Sequence, residues 1–455
     1  MLFSVDVETL ETGVHNRALH GALRTFSIEA CSLGAEKIKS GNGIHWETKY
    51  RCEIAGASSI GTKELRAPDF HRLAMGISNG LLQGPSGCVL REQLLQDNWI
   101  SGHLGRGIAI GPMALHSTLE GWVGSFLAHF FGSLPEGCNW DQSVFDLCYG
   151  DFEEFFYTNT ARLKILTPIA NMATDGCSIS LDDGVSIRSL LREEQEEWLS
   201  ARANSGGQWG LMADGIPGCA VERSENVQKV IASEGTSPAL DAIRSDYLDD
   251  IRAALRLHKD GEVFFLRTGR RWVTHRLCSY GDSTWLGTEH SHPRFAKEYQ
   301  LKASDAEPIK KLYSRLRTAR ASIVLPHVNL ALRRFGYGCE RAFPEDRLLD
   351  FMIGLEALFL RETDELSLRL AQRCAIHVSE EPAQRKLIFA SMRRAYAMRS
   401  KVAHGKGLRK EVLTDDIVDE VEAYLRTALR TILLGPGAMR SQREFIGMLD
   451  EQVFG

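Results

Sequence analysis

The 455-residue chain predicts an α+β N-terminal region followed by an all-α helical bundle. Three observations predict it. Up to about residue 304, short alternating apolar runs and glycine-rich turns are mixed with helical stretches. From about residue 305 the apolar period becomes helical and stays so to the end. Pro326, Pro344 and Pro382 stand at or before helix starts, where the missing N–H of proline costs nothing.

Length allows two or three domains, and the pattern divides the chain into three. Residues 1–130 form an α+β region of unknown role. Residues 131–304 form a strand-rich α+β region suited to sensing or partner binding. Residues 305–455 form the helical domain. A hydrophobic content of 44% is enough to fill sizeable cores. The formal charge of -5 confines any nucleic-acid site to a local patch. Ten cysteines are scattered singly with no CxxC, which excludes zinc-ribbon and thioredoxin-like chemistry and fits a reducing cytoplasm. The start, MLFSVDVETLETG, lacks the apolar core of a signal peptide. The best apolar run, around Trp122 to Phe131, reads as a buried helix and not a membrane span.

In chain order, Phe3 to Val7 and Tyr50 to Ile54 alternate like strands, and Arg17 to Lys39 has a helical rhythm. Turns are expected at Gly84–Pro85 and Gly111–Pro112. Phe155 to Leu166 is aromatic and β-branched, a predicted strand that Pro168 should end. Cys177 to Leu181, the Asp182–Asp183–Gly184 turn and Val185 to Ile187 read as a hairpin. Leu190 to Leu199 and Leu240 to Leu257 are predicted helices, with Asn204 to Gly210 as a polar loop between them. Glu262 to Leu266 is a short strand entering a basic turn, Arg267 to Arg271. Six helices then follow at roughly 306–323, 327–337, 345–360, 364–378, 382–402 and 415–434, and the last residues allow one more. Gly405 and Gly407 should end the fifth.

That fifth helix carries the chemistry. Arg399 and His404 stand five positions apart near its end. A 2′-hydroxyl can break its neighbouring phosphodiester if a base near neutral pKa, a proton donor and a positive charge are supplied. Histidine serves as acid or base at neutral pH, and arginine offers a planar fork to phosphate oxygens. No metal is needed. On one helix the two point about 140° apart, so two such helices side by side would make a better cleft. Arg393, Arg394, Lys401, Lys406, Arg409 and Lys410 make a basic strip, read either as an RNA contact or as a solvated helix end. Spacing alone means little, because Arg66–His71, Arg252–His258, Arg270–His275 and Arg320–His327 are similar.

Context separates the last pair from these. The segments Ala331 to Phe335 (ALRRF), Asp346 to Asp350 (DRLLD), Gly354 to Phe359 (GLEALF), Glu365 to Arg373 (ELSLRLAQR) and Tyr396 to Gly405 (YAMRSKVAHG) occur in this order. Over about 330–430 the chain resembles the Apea-like branch of the HEPN superfamily, many of whose members are ribonucleases with an Arg-x4–6-His motif. Pro168 to Leu190 also looks like the region that often precedes this domain. The resemblance implies a HEPN-like helical domain that forms a homodimer and builds one composite cleft from both motifs. It implies metal-independent cleavage leaving a 2′,3′-cyclic phosphate and a 5′-hydroxyl, with no cofactor. It implies Arg399 as the phosphate-binding residue, His404 as the acid/base residue, and a role as a regulated toxin or antiviral effector. Many members place Asn, Asp or His after the arginine; this chain has Ser400, a weaker polar group.

Supporting candidates surround the pair. Glu356, in the apolar run FMIGLEALFL, needs a partner if buried. Either Arg369 or Arg373 pairs with it in a structural ion pair, or it orients Arg399. Arg369 and Arg373 share one helix face and bracket the cleft or neutralise acidic neighbours. Tyr396 stacks on a base or fills the core. Ser400, Lys401 and Arg394 complete the substrate-binding set. His15 with His20, and His290 with His292, are too sparse for a metal site. The stretch GHLGRGIAIG at 102–111 lacks the Lys-Ser/Thr of a phosphate loop. The leading expectation is an endoribonuclease acting on RNA, with a protein or nucleic-acid trigger read by the N-terminal region and no membrane contact. The alternative is a non-catalytic HEPN-like protein for RNA binding and dimerisation.

Overall fold

The computed structural model describes residues 14–54, 60–105, 108–110, 113–115, 118–135, 137–182, 184–204, 217–231, 246–266, 269–272, 297–404, 414–435 and 440–454. A mixed α+β region extends to about residue 300, and a mostly helical bundle follows. Helix α1 (Arg17–Ser40) opens on Asn16, whose side chain accepts the N–H of Leu19. It closes on Gly41, whose φ of 72° is open to glycine at little cost. A hairpin of β1 (Trp46–Ile54) and β2 (Ile60–Pro68) follows. Then come α2 (Phe70–Leu81), α3 (Pro85–Gln96), the single turn α4 (Asn98–Ser101), β3 (Ile108–Ile110) and β4 (Met113–Leu115). The apolar run at 122–131 lies within α5 (Leu119–Ser133) and is buried nearly all round, as expected. No helix among the described residues is long and apolar enough to cross a membrane.

Helix α6 (Gln142–Tyr157) corrects part of the sequence reading. Phe155, Phe156 and Tyr157, expected in a strand, form the last residues of this helix. Phe145, Tyr149, Phe152 and Phe156 recur at helical spacing and are buried together. The strand proper, β5 (Thr160–Ala170), starts later and runs past Pro168. Its neighbours explain why. On one side β5 pairs from Thr160 to Ile169 with β9 (Cys219–Ile231). On the other, β11 (Gly269–Trp272) covers Leu163 to Leu166 and β10 (Phe264–Phe265) covers Ile169 and Ala170. Pro168 falls between these two, and its carbonyl accepts the N–H of Leu266 at 2.9 Å on that side. The missing proline N–H thus falls at the break between β10 and β11 and leaves the pairing with β9 continuous.

The expected hairpin is β7 (Ile179–Asp182) with β8 (Val185–Ser189), and β8 continues the sheet onto β9. With β3 and β4 beyond β9, the described sheet has eight strands. A separate parallel pair joins β6 (Met172–Thr174) to β12 (Tyr299–Leu301). Two further helices are α7 (Arg192–Asn204) and α8 (Asp246–His258). The expected strand at 3–7, Gly111–Pro112 and most of the 204–210 loop lie outside the described residues.

The bundle comprises α9 (Ala306–Ala321), α10 (Pro326–Glu340), α11 (Pro344–Phe359), α12 (Leu366–Val378), α13 (Pro382–Ala403), α14 (Asp415–Leu434) and α15 (Gln442–Phe454). Pro326, Pro344 and Pro382 each occupy a first helical turn. A Cβ on Gly338 would lie 2.3 Å from the Phe351 ring, so this glycine lets α10 and α11 approach closely. Burial falls into two large clusters. One gathers α1, α2, α5, α6 and the first half of β5. The other joins Ile169, the β7–β8 hairpin and α8 to the helices of the bundle. Strand β5 contributes to both.

Candidate functional site

Helix α13 is fixed by an apolar stripe. Ile388, Met392, Ala395 and Met398 recur at three- and four-residue steps and are buried in the bundle core. That register puts Arg399 at the edge of the buried face. Its side chain is 28% exposed. Helix α11 is fixed in the same way by Leu348, Phe351, Met352, Leu355 and Phe359, which leaves Glu356 at its own boundary. The two boundary residues meet: Arg399 Nη2 donates to Glu356 Oε2 at 3.1 Å. The Arg399 guanidinium also lies 5.9 Å from the centre of the Tyr396 ring.

This pair is only half satisfied. Arg399 Nε and Glu356 Oε1 are both buried with no hydrogen-bond partner. One N–H···O bond replaces the two parallel bonds that a guanidinium and a carboxylate can make. Burial pushes the Glu356 carboxyl above its ordinary value, and the Arg399 charge opposes that rise. Buried polar groups are normally paired, and Arg369 Nε and Arg347 Nη1 share the same deficit among the described residues. Of the two readings of Glu356, contact with Arg399 is the one the geometry shows. The expected pairing with Arg369 or Arg373 is corrected.

Those two arginines are otherwise engaged. Arg373 is 1% exposed. It donates to Asp450 at 2.7 and 2.8 Å, to Glu362 at 2.9 and 3.0 Å, and to the Phe359 carbonyl at 2.7 Å. All its donor nitrogens are used, which leaves none for a substrate. The sequence pointed to Arg373 but not to its partners, because Asp450 comes from the distant α15. Arg369 pairs more loosely, at 3.5 Å from Glu365 and 3.9 Å from Glu362.

His404 is the C-cap of α13, and its N–H donates to the Ser400 carbonyl at 3.2 Å. Its ring is exposed and has no partner among the described residues. Ser400 and Tyr396 are half-buried, and Lys401 is exposed. Arg394 is exposed and lies 3.9 Å from Glu420, a tempering carboxylate that the sequence reading missed. Lys406, Arg409 and Lys410 lie outside the described residues, as do His290 and His292.

The similarly spaced pairs elsewhere are bound into unrelated contacts. His258 meets Asp305 at 3.0 Å, while Arg252 holds Glu340 at 3.0 Å. Arg320 pairs with Asp250, and His327 is buried, which lowers its pKa. Arg66 lies over Trp46 at 5.1 Å, and Arg270–His275 falls partly outside the described residues. His20 meets Asp146 at 3.0 Å, and His15 lies against Tyr157. Arg399 and His404 differ in combining a partly committed guanidinium with an open imidazole. Among the described residues no three His, Cys, Asp or Glu side chains are grouped to hold a metal ion. No family model, curated protein or solved structure matches this chain.

Proposed function

We propose that the protein is a metal-independent endoribonuclease, with Arg399 binding the scissile phosphate and His404 moving the proton. The observation that carries this reading is the half-satisfied Arg399 at the edge of α13. Glu356 fixes the guanidinium with one bond, and the exposed part of the side chain, 28% of it, can meet phosphate oxygens. The exposed imidazole on the same helix end supplies acid/base chemistry near neutral pH. In this reading the 2′-hydroxyl of RNA attacks its own phosphorus and the 5′-oxygen of the next nucleotide leaves. The products carry a 2′,3′-cyclic phosphate and a 5′-hydroxyl. The protein acts as a homodimer, as a regulated toxin or antiviral effector whose N-terminal region reads the trigger.

The test is to map product ends after incubation with mixed RNAs in excess EDTA. Cyclic phosphate and 5′-hydroxyl ends are expected. Products with 3′-hydroxyl and 5′-phosphate ends, or strict magnesium dependence, would overturn the mechanism. One observation favours a second reading, an RNA-binding and dimerisation protein without catalysis: Arg399 is already paired with a carboxylate. RNA binding without any cleavage would favour that reading.

A further inference from the structure

A second polar site lies apart from the elements that carry Arg399 and His404. A pocket of about 450 Å³ opens where α8, α9 and α10 meet. Helix α8 presents Arg252 and Arg256 to it, α9 presents Arg320, and α10 presents Asn329, Arg333 and Tyr337. The α10 residues recur every four positions, so one stripe of that helix faces the pocket. The volume falls within the roughly 300–1,000 Å³ of small-molecule sites, which is far too small for a folded polymer.

The wall is built and fixed. Arg256 is 4% exposed and donates to Glu340 at 3.0 Å, to the Val263 carbonyl at 3.1 Å and to the Gly336 carbonyl at 3.3 Å. Arg252 is held by Asp249 and by Glu340. Arg320 is held by the buried Asp250. Arg333 is exposed and has no carboxylate partner among the described residues. Four guanidinium groups thus meet three carboxylates, Asp249, Asp250 and Glu340, which leaves one positive charge in excess. One turn beyond Arg333 stands Tyr337, an aromatic ring that is 44% exposed.

We propose that this pocket binds a nucleoside monophosphate. A phosphate on Arg333 uses the bidentate geometry of a guanidinium and neutralises the spare charge. Arg252, Arg256 and Arg320, neutralised and locked by Asp249, Glu340 and Asp250, form a fixed polar wall that does not move to admit the ligand. The Tyr337 ring, on the same helix face, takes the base by stacking. This inference goes beyond the ribonuclease reading and does not rest on it.

The test is calorimetry and thermal melting of the full chain with AMP, GMP, CMP and UMP, using inorganic phosphate and adenosine as controls. At least one monophosphate should raise the melting temperature by about 2 °C or more at saturation. Two variants keep the test sharp. Arg333→Ala removes an exposed side chain and should weaken binding about tenfold or more. A Cβ at Gly336 meets nothing within 4 Å, so Gly336→Met fills the pocket without a backbone clash and should abolish binding. His404→Ala should bind like wild type, which separates failure here from failure of the cleavage reading. The proposal is overturned if no monophosphate binds, or if both pocket variants bind as wild type. It is equally overturned if inorganic phosphate or adenosine binds as tightly as the nucleotides.

Discussion

A guanidinium held by a single bond to a half-buried carboxylate is both positioned and partly exposed, and the proposed role of Arg399 rests on that combination. Replacing Arg399 with lysine keeps the charge but loses the fork, so Arg399→Lys should slow RNA cleavage nearly as much as Arg399→Ala. Near-normal turnover in the lysine variant would reduce Arg399 to an electrostatic contact. Glu356→Gln keeps an acceptor near Arg399 but removes the charge that burial disfavours. Melting temperature should change little, while cleavage falls by about tenfold as Arg399 loses its charge-assisted anchor. A cleavage rate equal to wild type would show that Glu356 does not position Arg399. At this scale the sequence was legible in part. Arg399 and His404 could be singled out by order and context, and Glu356 as an acidic residue in an apolar run. Its partner could not be chosen, because three arginines were compatible and only the register of α11 against α13 decides between them.

Among the elements, one heavily tied junction is where α12 meets the end of α11 and α15. Arg373 joins Glu362, Asp450 and the Phe359 carbonyl there. Truncating it removes every bond of a buried guanidinium and leaves the Phe359 carbonyl without that donor, while Glu362 and Asp450, 33% and 44% exposed, regain water, so Arg373→Ala should cost about 1–3 kcal/mol in denaturant unfolding. A loss under 1 kcal/mol would contradict the assigned role. Hydrogen bonding from Arg373 lowers the Glu362 pKa to about 2. A depressed carboxyl contributes stability above its ordinary value of 4.5, and that stability is lost as pH falls from there toward about 2. Glu362→Gln should flatten the stability profile over that window and leave its slope above pH 5 unchanged. An unaltered acid limb would contradict the assignment. The helices of the bundle were legible to within about three residues at each end, because prolines mark three starts and the apolar period is long. Phe155 to Pro168 was not. Aromatic residues suit helix and strand alike, and the gap between β10 and β11 that accommodates Pro168 is a tertiary fact.

Across the whole molecule, the second buried cluster joins strand residues, α8 and the helical bundle into one packed body. The β7–β8 hairpin and α8 therefore share a buried core with α11 and α13, and on the proposed reading this packing is where the N-terminal region would act on the site. Composition and period gave the succession of a mixed region and a bundle, but could not show that β5 would contribute to two cores. Assembly belongs to the proposed reading. Five positions on an ideal helix turn side chains about 140° apart, and on that reading a second copy across a twofold axis completes the cleft. Native mass spectrometry of the active protein should give an even number of subunits, and full activity in a strict monomer would remove the composite cleft. The central claim, that the end of α13 cleaves RNA, is tested most directly by one comparison. Wild-type and His404→Ala proteins, matched for fold by circular dichroism, are each incubated with labelled mixed RNA in excess EDTA and the cleavage rates measured. Wild type should cleave and the variant should not, since His404 is exposed and its loss leaves the packing intact. Equal rates in the two, or no cleavage by an activated wild type, would contradict the claim.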